Sequence, residues 1–169
     1  MAESLILRTL RDTQIQLADS GAAHSYVITK EPGDLQYSVP DYTIVTALDR
    51  GDIGTIPDLR KGDEQPMSGS FSAYLRDLGD TANSYASALE IAHRYVGRFV
   101  ESNWVSTMGT SSDVFTITIN VTIDGSFCGE ADKTVSFPYS VFRAPTVADG
   151  APSKVSFSFI SHAVRPTLS

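Results

Sequence analysis

The sequence has few of the residues from which reactive sites are built. It holds one cysteine, Cys128, and three histidines, His24, His93 and His162, among 169 residues. A single cysteine cannot close a disulfide within the chain or supply a multi-cysteine zinc site. The three histidines lie on separate segments, and none has a second ligand at metal-binding spacing. We therefore expect no metal site and no cofactor.

Long apolar runs and an excess of basic charge are also missing. No apolar run approaches the roughly 18 residues that span a bilayer. The first residues, MAESLILRTLRD, lack the basic start and apolar block of a signal peptide. The net charge is -7, which argues against a protein that holds nucleic acid by neutralising phosphates. We expect a protein made and kept inside a cell, without a membrane segment.

Motifs of known catalytic chemistry are absent from the sequence. It contains no G-x-S-x-G nucleophile elbow and no G-x-x-x-x-G-K-[ST] phosphate loop. The DRGDIG stretch lacks the spacing of a calcium-binding EF-hand, and we interpret its Arg-Gly-Asp tripeptide as chance. The chain is not expected to be an enzyme.

Alternation of apolar and polar residues dominates what is present. In DVFTITINVTIDG (113–125), one face holds aromatic and aliphatic residues and the other holds Thr, Asn and Asp. Period-two alternation of this kind predicts a half-buried antiparallel strand, and the Asp-Gly pair at its end predicts a turn. Pro138 predicts an edge or bulge in a later strand. The segments with strand character are 14–19, 24–29, 34–39, 41–49, 65–77, 113–125, 133–145 and 152–169.

One helix is predicted, over 81–100, where apolar residues recur at helical spacing. Strands before and after it favour a mainly β fold, an antiparallel sandwich or barrel with this helix covering one face or end. The length fits a single domain over 1–169 with N- and C-terminal arms.

The segment LDRGDIGTIPDLRKGDEQP, at about 48–66, is predicted to be a long connection without secondary structure of its own. Such connections are usually functional or disordered. We interpret it as an interface loop that is mobile in the free subunit and orders between subunits; the other interpretation is a solvent loop. Its predicted apolar anchors are Ile53, Ile56 and Leu59, and its charged rim is Asp49, Arg50, Asp58, Arg60, Lys61 and Asp63.

The polar strand faces at 116–124 and 154–158 leave two interpretations open. They suit a wall that lines a water-filled space, and they equally suit ordinary exposure to solvent. Long flat strand edges favour pairing with neighbouring subunits, so the sequence points to assembly rather than to catalysis.

Three passages resemble the tail tube protein of long-tailed siphophages of the lambda-like type. They are DLRKGDEQPMSGSFSAYL (58–75), EIAHRYVGR (90–98) and KTVSFPYSVFRAPTVADGAPSKVSFSF (133–159). The resemblance implies a β-sandwich or barrel with a flanking helix, related to the tubes of contractile injection systems. It also implies hexameric rings of identical subunits, stacked into a hollow tube in the virion tail after assembly in the host cytoplasm.

The partners that the resemblance implies are further copies of the chain and the tape measure, tail terminator and tail-tip proteins. Phage DNA would pass through the lumen without specific binding, and an acidic lumen would repel it; Asp124 is the lumen-facing candidate. Two alternatives remain open. One is a sandwich-type module that binds a host-surface ligand, and the other is a secretion-system tube subunit of the Hcp kind.

Overall fold

A computed structural model describes residues 13–22, 25–28, 34–47, 58–74, 104–109, 114–125, 129–143, 146–163 and 165–169. Within these ranges the chain forms eleven strands and a short 3-10 turn at Ser20–Ala22. The strands are β1 (Thr13–Ala18), β2 (Ser25–Ile28), β3 (Gln36–Ser38), β4 (Ile44–Ala47), β5 (Asp58–Lys61), β6 (Met67–Tyr74), β7 (Ile117–Ile123), β8 (Lys133–Phe142), β9 (Thr146–Ala148), β10 (Lys154–Ser161) and β11 (Thr167–Leu168).

Nine of these strands form one antiparallel sheet. Its main path runs β2-β1-β7-β8-β10-β6-β3, with β9 paired to β10 and β11 paired to β8. The other two strands, β4 and β5, pair only with each other among the described strands. The prediction of a mainly β, antiparallel fold is therefore confirmed.

The alternating sequence of β7 determines which side of the sheet is buried. Ile119 and Val121 are fully buried, whereas Asn120 and Thr122 between them are only half-buried. The whole of β1 pairs with β7, which places Ile15 opposite Val121 and Leu17 opposite Ile119. One face of the sheet is thus apolar on neighbouring strands, as the period-two pattern predicts.

Aromatic side chains from three adjacent strands fill the centre of the core. Phe71 on β6 lies 5.3 Å from Phe157 on β10, measured between ring centroids. Phe142 on β8 lies 5.2 Å from the same Phe157 ring. These separations fall in the range where tilted and edge-on ring pairs attract. Full burial of each such side chain contributes about 1.5–3 kcal/mol.

The sheet curls around this core. Tyr37 on β3 contacts Phe137 on β8 with ring centroids 5.2 Å apart, although β6 and β10 lie between the two strands. Neighbouring strands are roughly 4.8 Å apart, so a flat sheet would separate β3 from β8 by about 14 Å. Ring contact across that span requires curvature. No described pairing joins the terminal strands β2 and β3, so the choice between sandwich and barrel stays open.

A bulge bends β8 at the position that Pro138 predicts. Ile117 and Ile119 of β7 pair with Ser140 and Phe137, so β8 carries one extra residue between these pairs. Tyr139 lies within the bulge and has a φ of 53°. Residues other than glycine seldom adopt a positive φ. The prediction of a bulge is confirmed.

Buried hydroxyls satisfy the carbonyl groups that the bulge releases from the sheet ladder. The Oγ of Ser140 donates to the Phe137 carbonyl at 2.8 Å, and the Oγ of Ser161 donates to the Pro138 carbonyl at 2.5 Å. The His162 amide donates to the Tyr139 carbonyl at 3.2 Å. The bend in β8 is therefore built with partners for its polar groups rather than left unpaired.

The predictions of secondary structure differ in how well they agree with the observed strands. The eight predicted strand segments each contain an observed strand among β1–β4, β6–β8 and β10, while β5, β9 and β11 were not predicted as separate strands. The helix predicted over 81–100 lies outside the described residues. β7 ends at Ile123, just before the Asp-Gly pair, and β8 begins at Lys133. Residues 126–128 between them lie outside the described residues, so the Asp-Gly turn stays a prediction.

Candidate assembly surfaces

The segment predicted as a structureless loop contains a strand, so that part of the prediction is wrong. β5 pairs antiparallel with β4, placing Asp58 opposite Ala47 and Lys61 opposite Ile44. The β-branched residues of β4 favour an extended backbone, and an extended β4 can pair with β5 through its backbone N–H and C=O groups. The two strands form a hairpin that is separate from the main sheet.

The predicted interface residues divide between described and undescribed positions. Asp58, Leu59, Arg60 and Lys61 lie along the backbone of β5, and Asp63 is exposed just beyond it. Asp49, Arg50, Ile53 and Ile56 lie outside the described residues. The structure thus brings β5 and Asp63 together at one hairpin, and the role of all these residues as anchors and rim stays a prediction.

Backbone hydrogen bonds close the base of the hairpin. The Gly62 amide donates to the Thr43 carbonyl at 2.6 Å, and the Thr43 amide donates to the Asp63 carbonyl at 3.4 Å. The Thr43 hydroxyl reaches the same Asp63 carbonyl at 3.4 Å. The ladder therefore continues beyond β4 and β5 to the point where the chain leaves toward the main sheet.

Exposed apolar side chains precede and begin this hairpin. The relative exposure is 61% for Ile44, 45% for Val39 and 39% for Tyr42. These residues were missed as surface candidates because 41–49 was interpreted as an ordinary strand. The signal that could have found Tyr42 and Ile44 is the Pro40-Asp41 pair, which separates them from the strand before it.

A groove of about 420 Å³ lies beside the hairpin base. Its walls combine apolar groups with two carboxylates, Asp41 and Glu64, and the guanidinium of Arg165. The groove brings the residues before β4 close to those that precede β11, which are far apart in sequence. Its lining residues are Val39, Pro40, Asp41, Tyr42, Glu64, Gln65, Arg165 and Pro166.

The sheet face opposite the core is mostly polar, and its described strand positions carry no acidic side chain. Strand pairing places Asn120 of β7 between Gln16 of β1 and Ser136 of β8, and Ser158 of β10 opposite Ser70 of β6. Hydroxyl groups meet directly across strands on this face, including Thr122 with Thr134 at 3.0 Å and Ser72 with Ser156 at 3.2 Å.

Two basic side chains belong to the described part of this face. Arg143 follows β8 directly, its amide donates to the Ser158 carbonyl at 2.8 Å, and it lines a groove with Ser70 and Ser158. The other is Lys154, at the end of the face. It lies over the ring of Tyr74, with its Nζ 5.7 Å from the ring centroid. The acidic residues that give the chain its net charge of -7 are not found at these positions. The described strand positions therefore offer hydroxyl and amide groups where an acidic wall was expected.

Asp124, the predicted lumen residue, lies one position beyond β7. It follows Thr122 at the spacing that continues the polar face, and it is exposed. The next residue, Gly125, is buried, and its amide donates to Asp132 Oδ1 at 2.8 Å. Asp124 is thus at the rim of the polar face rather than in its middle, and its predicted orientation toward a lumen stays a prediction.

The described residues contain no cluster of three or more metal-ligating side chains. Of the three histidines only His162 falls within the described ranges, where it is exposed, and Cys128 falls outside them. A search of the same ranges finds no helix of the length and apolar character needed to cross a membrane.

Comparison with solved structures finds likeness along the whole chain. The chain matches one in the cryo-EM structure of the anti-feeding prophage (AFP) baseplate, six-fold symmetrised, with a TM-score of 0.55 at 8% identity, covering 99% of this chain and 97% of the other. It also matches one in the sheath/tube terminator of the extracellular contractile injection system PVC, in the extended state. That match has a TM-score of 0.56 at 12% identity and covers 100% and 99% of the two chains.

The shared property is the fold. No protein-family model matches the sequence, and no curated protein matches it. The two matches cover 99% and 100% of this chain, and at 8% and 12% identity they show a common fold alone.

Proposed function

We propose that the chain is a structural subunit of a tail tube, which assembles with copies of itself into stacked hexameric rings. The observation that carries the proposal is the full-length likeness to chains of two tail-like assemblies, one a baseplate and one a sheath/tube terminator. The resemblance of three passages to lambda-like siphophage tail tube proteins supplies the finer assignment. On that assignment the tube conducts phage DNA during ejection and meets the tape measure, terminator and tail-tip proteins.

The polar sheet face is the proposed channel wall. A wall of serine, threonine, asparagine and glutamine side chains stays hydrated and presents few fixed charges to a passing polyanion. Its two basic side chains, Arg143 and Lys154, are too few to retain nucleic acid electrostatically. This differs from the expected acidic lumen, because the wall would avoid strong adhesion by carrying few charges, with Asp124 contributing negative charge only at its rim.

The β4–β5 hairpin is the proposed contact between subunits. Its support is twofold: the hairpin forms a sheet apart from the main one, and its base exposes Ile44, Tyr42 and Val39. Apolar side chains surrounded by polar and charged groups have the composition of an interface core with its rim. Asp49, Arg50, Ile53, Ile56, Asp58, Leu59, Arg60, Lys61 and Asp63 complete the proposed contact.

Negative-stain electron microscopy of the purified chain tests the proposal. Rings or tubes are expected, and a variant lacking residues 51–63 should remain folded by circular dichroism but fail to stack. A chain that stays monomeric at high concentration, and also with a tail initiator complex added, contradicts the proposal. Tubes of full length from the deletion variant would contradict the role of the hairpin alone.

A tube component of a contractile injection system is the second candidate. It is favoured by one observation, that the 12%-identical match comes from a system described as contractile. Immunogold labelling of native particles with an antibody to this chain separates the two. Gold on a flexible tail without a sheath supports the siphophage assignment, whereas gold inside a contracted sheath supports the contractile one.

A further inference from the structure

β8 has a second neighbour along its first half. β7 pairs with Lys133–Phe137 on one side, and β11 pairs with Ser136 and Val135 on the other. The pairing continues at Ser169, whose amide donates to the Thr134 carbonyl at 3.0 Å while its carbonyl accepts from the Thr134 amide at 2.9 Å. Thr167–Ser169 therefore covers an edge of β8 that would otherwise present unpaired backbone groups.

This cover is thin. All three side chains of Thr167–Ser169 are exposed, and Leu168 is 70% exposed although its partner Val135 packs against the core. The segment is therefore held mainly by backbone hydrogen bonds, with little apolar burial to stabilise it. Elements with few buried contacts and exposed hydrogen bonds open most readily.

The connection that leads into β11 is a suitable hinge. β10 ends at Ser161, which is fully buried and bonded to the Pro138 carbonyl, so the chain is fixed at that point. The His162 amide is also bonded to the Tyr139 carbonyl, and Ala163 packs against the core, so the chain is held up to Ala163. Beyond it, Arg165 is exposed, and Pro166 precedes β11. β11 can therefore swing away from β8 while β10 keeps its place in the sheet.

We propose that the β8 edge at Thr134–Ser136 is a strand-pairing site between copies of this chain, filled by β11 of a second copy on assembly. Residues Thr167–Ser169 of another copy would re-form every backbone hydrogen bond that the same residues make within one chain, so the exchange changes only the hinge. Exchange of an identical element is a low-cost route to association, and a head-to-tail contact of this kind can close into a ring. The inference rests on the proposed self-assembly and names one contact within it.

The register supplies a direct test of exchange. Thr134 and Ser169 exchange both hydrogen bonds, so the next pair, Val135 and Leu168, is a non-hydrogen-bonded pair whose Cα atoms are about 4.5 Å apart. This separation lies within the range that a disulfide can bridge. Two variants, Val135→Cys and Leu168→Cys, are made separately, each with Cys128→Ser.

Neither single variant can form this disulfide within its own chain. Mixed under assembly conditions and oxidised, the two are expected to give a covalent heterodimer on a non-reducing gel. The matched control mixes Ser72→Cys with Ser156→Cys, two positions that pair within one sheet away from the β8 edge and whose hydroxyls lie 3.2 Å apart; this mixture should give only background dimer. Heterodimer at the control level overturns the inference.

Electron microscopy of the same samples separates this inference from the proposed function. Rings with heterodimer only at the control level leave the proposed function standing and remove the exchange. Heterodimer well above the control without rings or tubes supports exchange and contradicts tube formation.

Discussion

The ring of Phe159 lies across Gly69, its directly opposite partner on β6. The two are Cα partners in the β6–β10 pairing, and a Cβ built on Gly69 would overlap the Phe159 ring. Phe159 in turn lies 5.5 Å from Phe137 and 6.4 Å from Phe71 between ring centroids. The missing side chain at Gly69 thus provides the space in which the aromatic core closes over β6.

Gly69→Ala should therefore destabilise the fold. The new methyl group would displace the Phe159 ring or press toward the Gln36 carbonyl, which lies 3.0 Å from its position. Overpacking of this kind costs about 1–3 kcal/mol. Urea denaturation measures the loss. Gly150→Ala is the control, because its Cβ would meet nothing nearer than 3.4 Å, and an equal loss in both variants would contradict the argument.

Ser161→Ala should weaken the bend of β8. Ser161 is fully buried, and its hydroxyl is a donor to the Pro138 carbonyl. Without that donor the part-buried carbonyl loses its hydroxyl partner, which costs about 1–2 kcal/mol. Thermal unfolding of Ser161→Ala beside Ser156→Ala, an exposed position on the same strand, measures the difference. Equal melting temperatures for the two variants would show that the bulge does not depend on this bond.

Thr116→Val should loosen the segment 104–109 from β7. The buried Thr116 hydroxyl lies 2.7 Å from the Thr107 hydroxyl and 3.2 Å from that of Ser106. Valine keeps the shape and removes both bonds, with an expected loss of about 1–2 kcal/mol. Because Trp104 at the start of this segment is buried in the core, its fluorescence should shift to the red in the variant.

The control for that prediction is Thr118→Val, a half-buried position two residues along on the same polar face. It should leave the fluorescence of Trp104 unchanged. A red shift of equal size in both variants would mean that the Thr116 hydroxyl does not hold the segment in place.

Ile44→Asp should block assembly and leave the subunit folded. Ile44 is 61% exposed, so a carboxylate there has little effect on the folding of the subunit, but burying that charge against a neighbour is costly. Val147→Asp on β9, 46% exposed, is the matched control and should assemble normally. For both variants, sedimentation measures assembly and thermal melting measures the stability of the subunit. Normal tubes from Ile44→Asp would remove the hairpin base from the interface.

The sequence predicted the parts of the fold that local pattern controls. Strict alternation located β7 and identified its buried face, and Pro138 located the bulge in β8. β5 was not predicted, because its four residues are charged except for Leu59 and form a strand only through pairing with β4. β11 was not predicted either, since two exposed residues carry no periodicity and their conformation depends on the β8 edge.

The candidate site was predictable only in part. The charges and apolar residues of 48–66 indicated an interface segment. The Pro40-Asp41 pair marks only a break before Tyr42 and Ile44, and their exposure depends on the hairpin standing apart from the main sheet. The absence of acidic side chains from the described strand positions of the polar face follows from the register of strands distant in sequence. Net charge alone, at -7, pointed instead to an acidic wall.

Cryo-electron microscopy of the concentrated protein tests the central claim most directly. The account predicts six-fold rings around a central opening, with the polar face lining it, so that Ser70 and Asn120 face the channel and Phe71 and Val121 lie inside the subunit. Particles that remain single subunits would contradict the account. So would rings in which the polar face is turned to the outside.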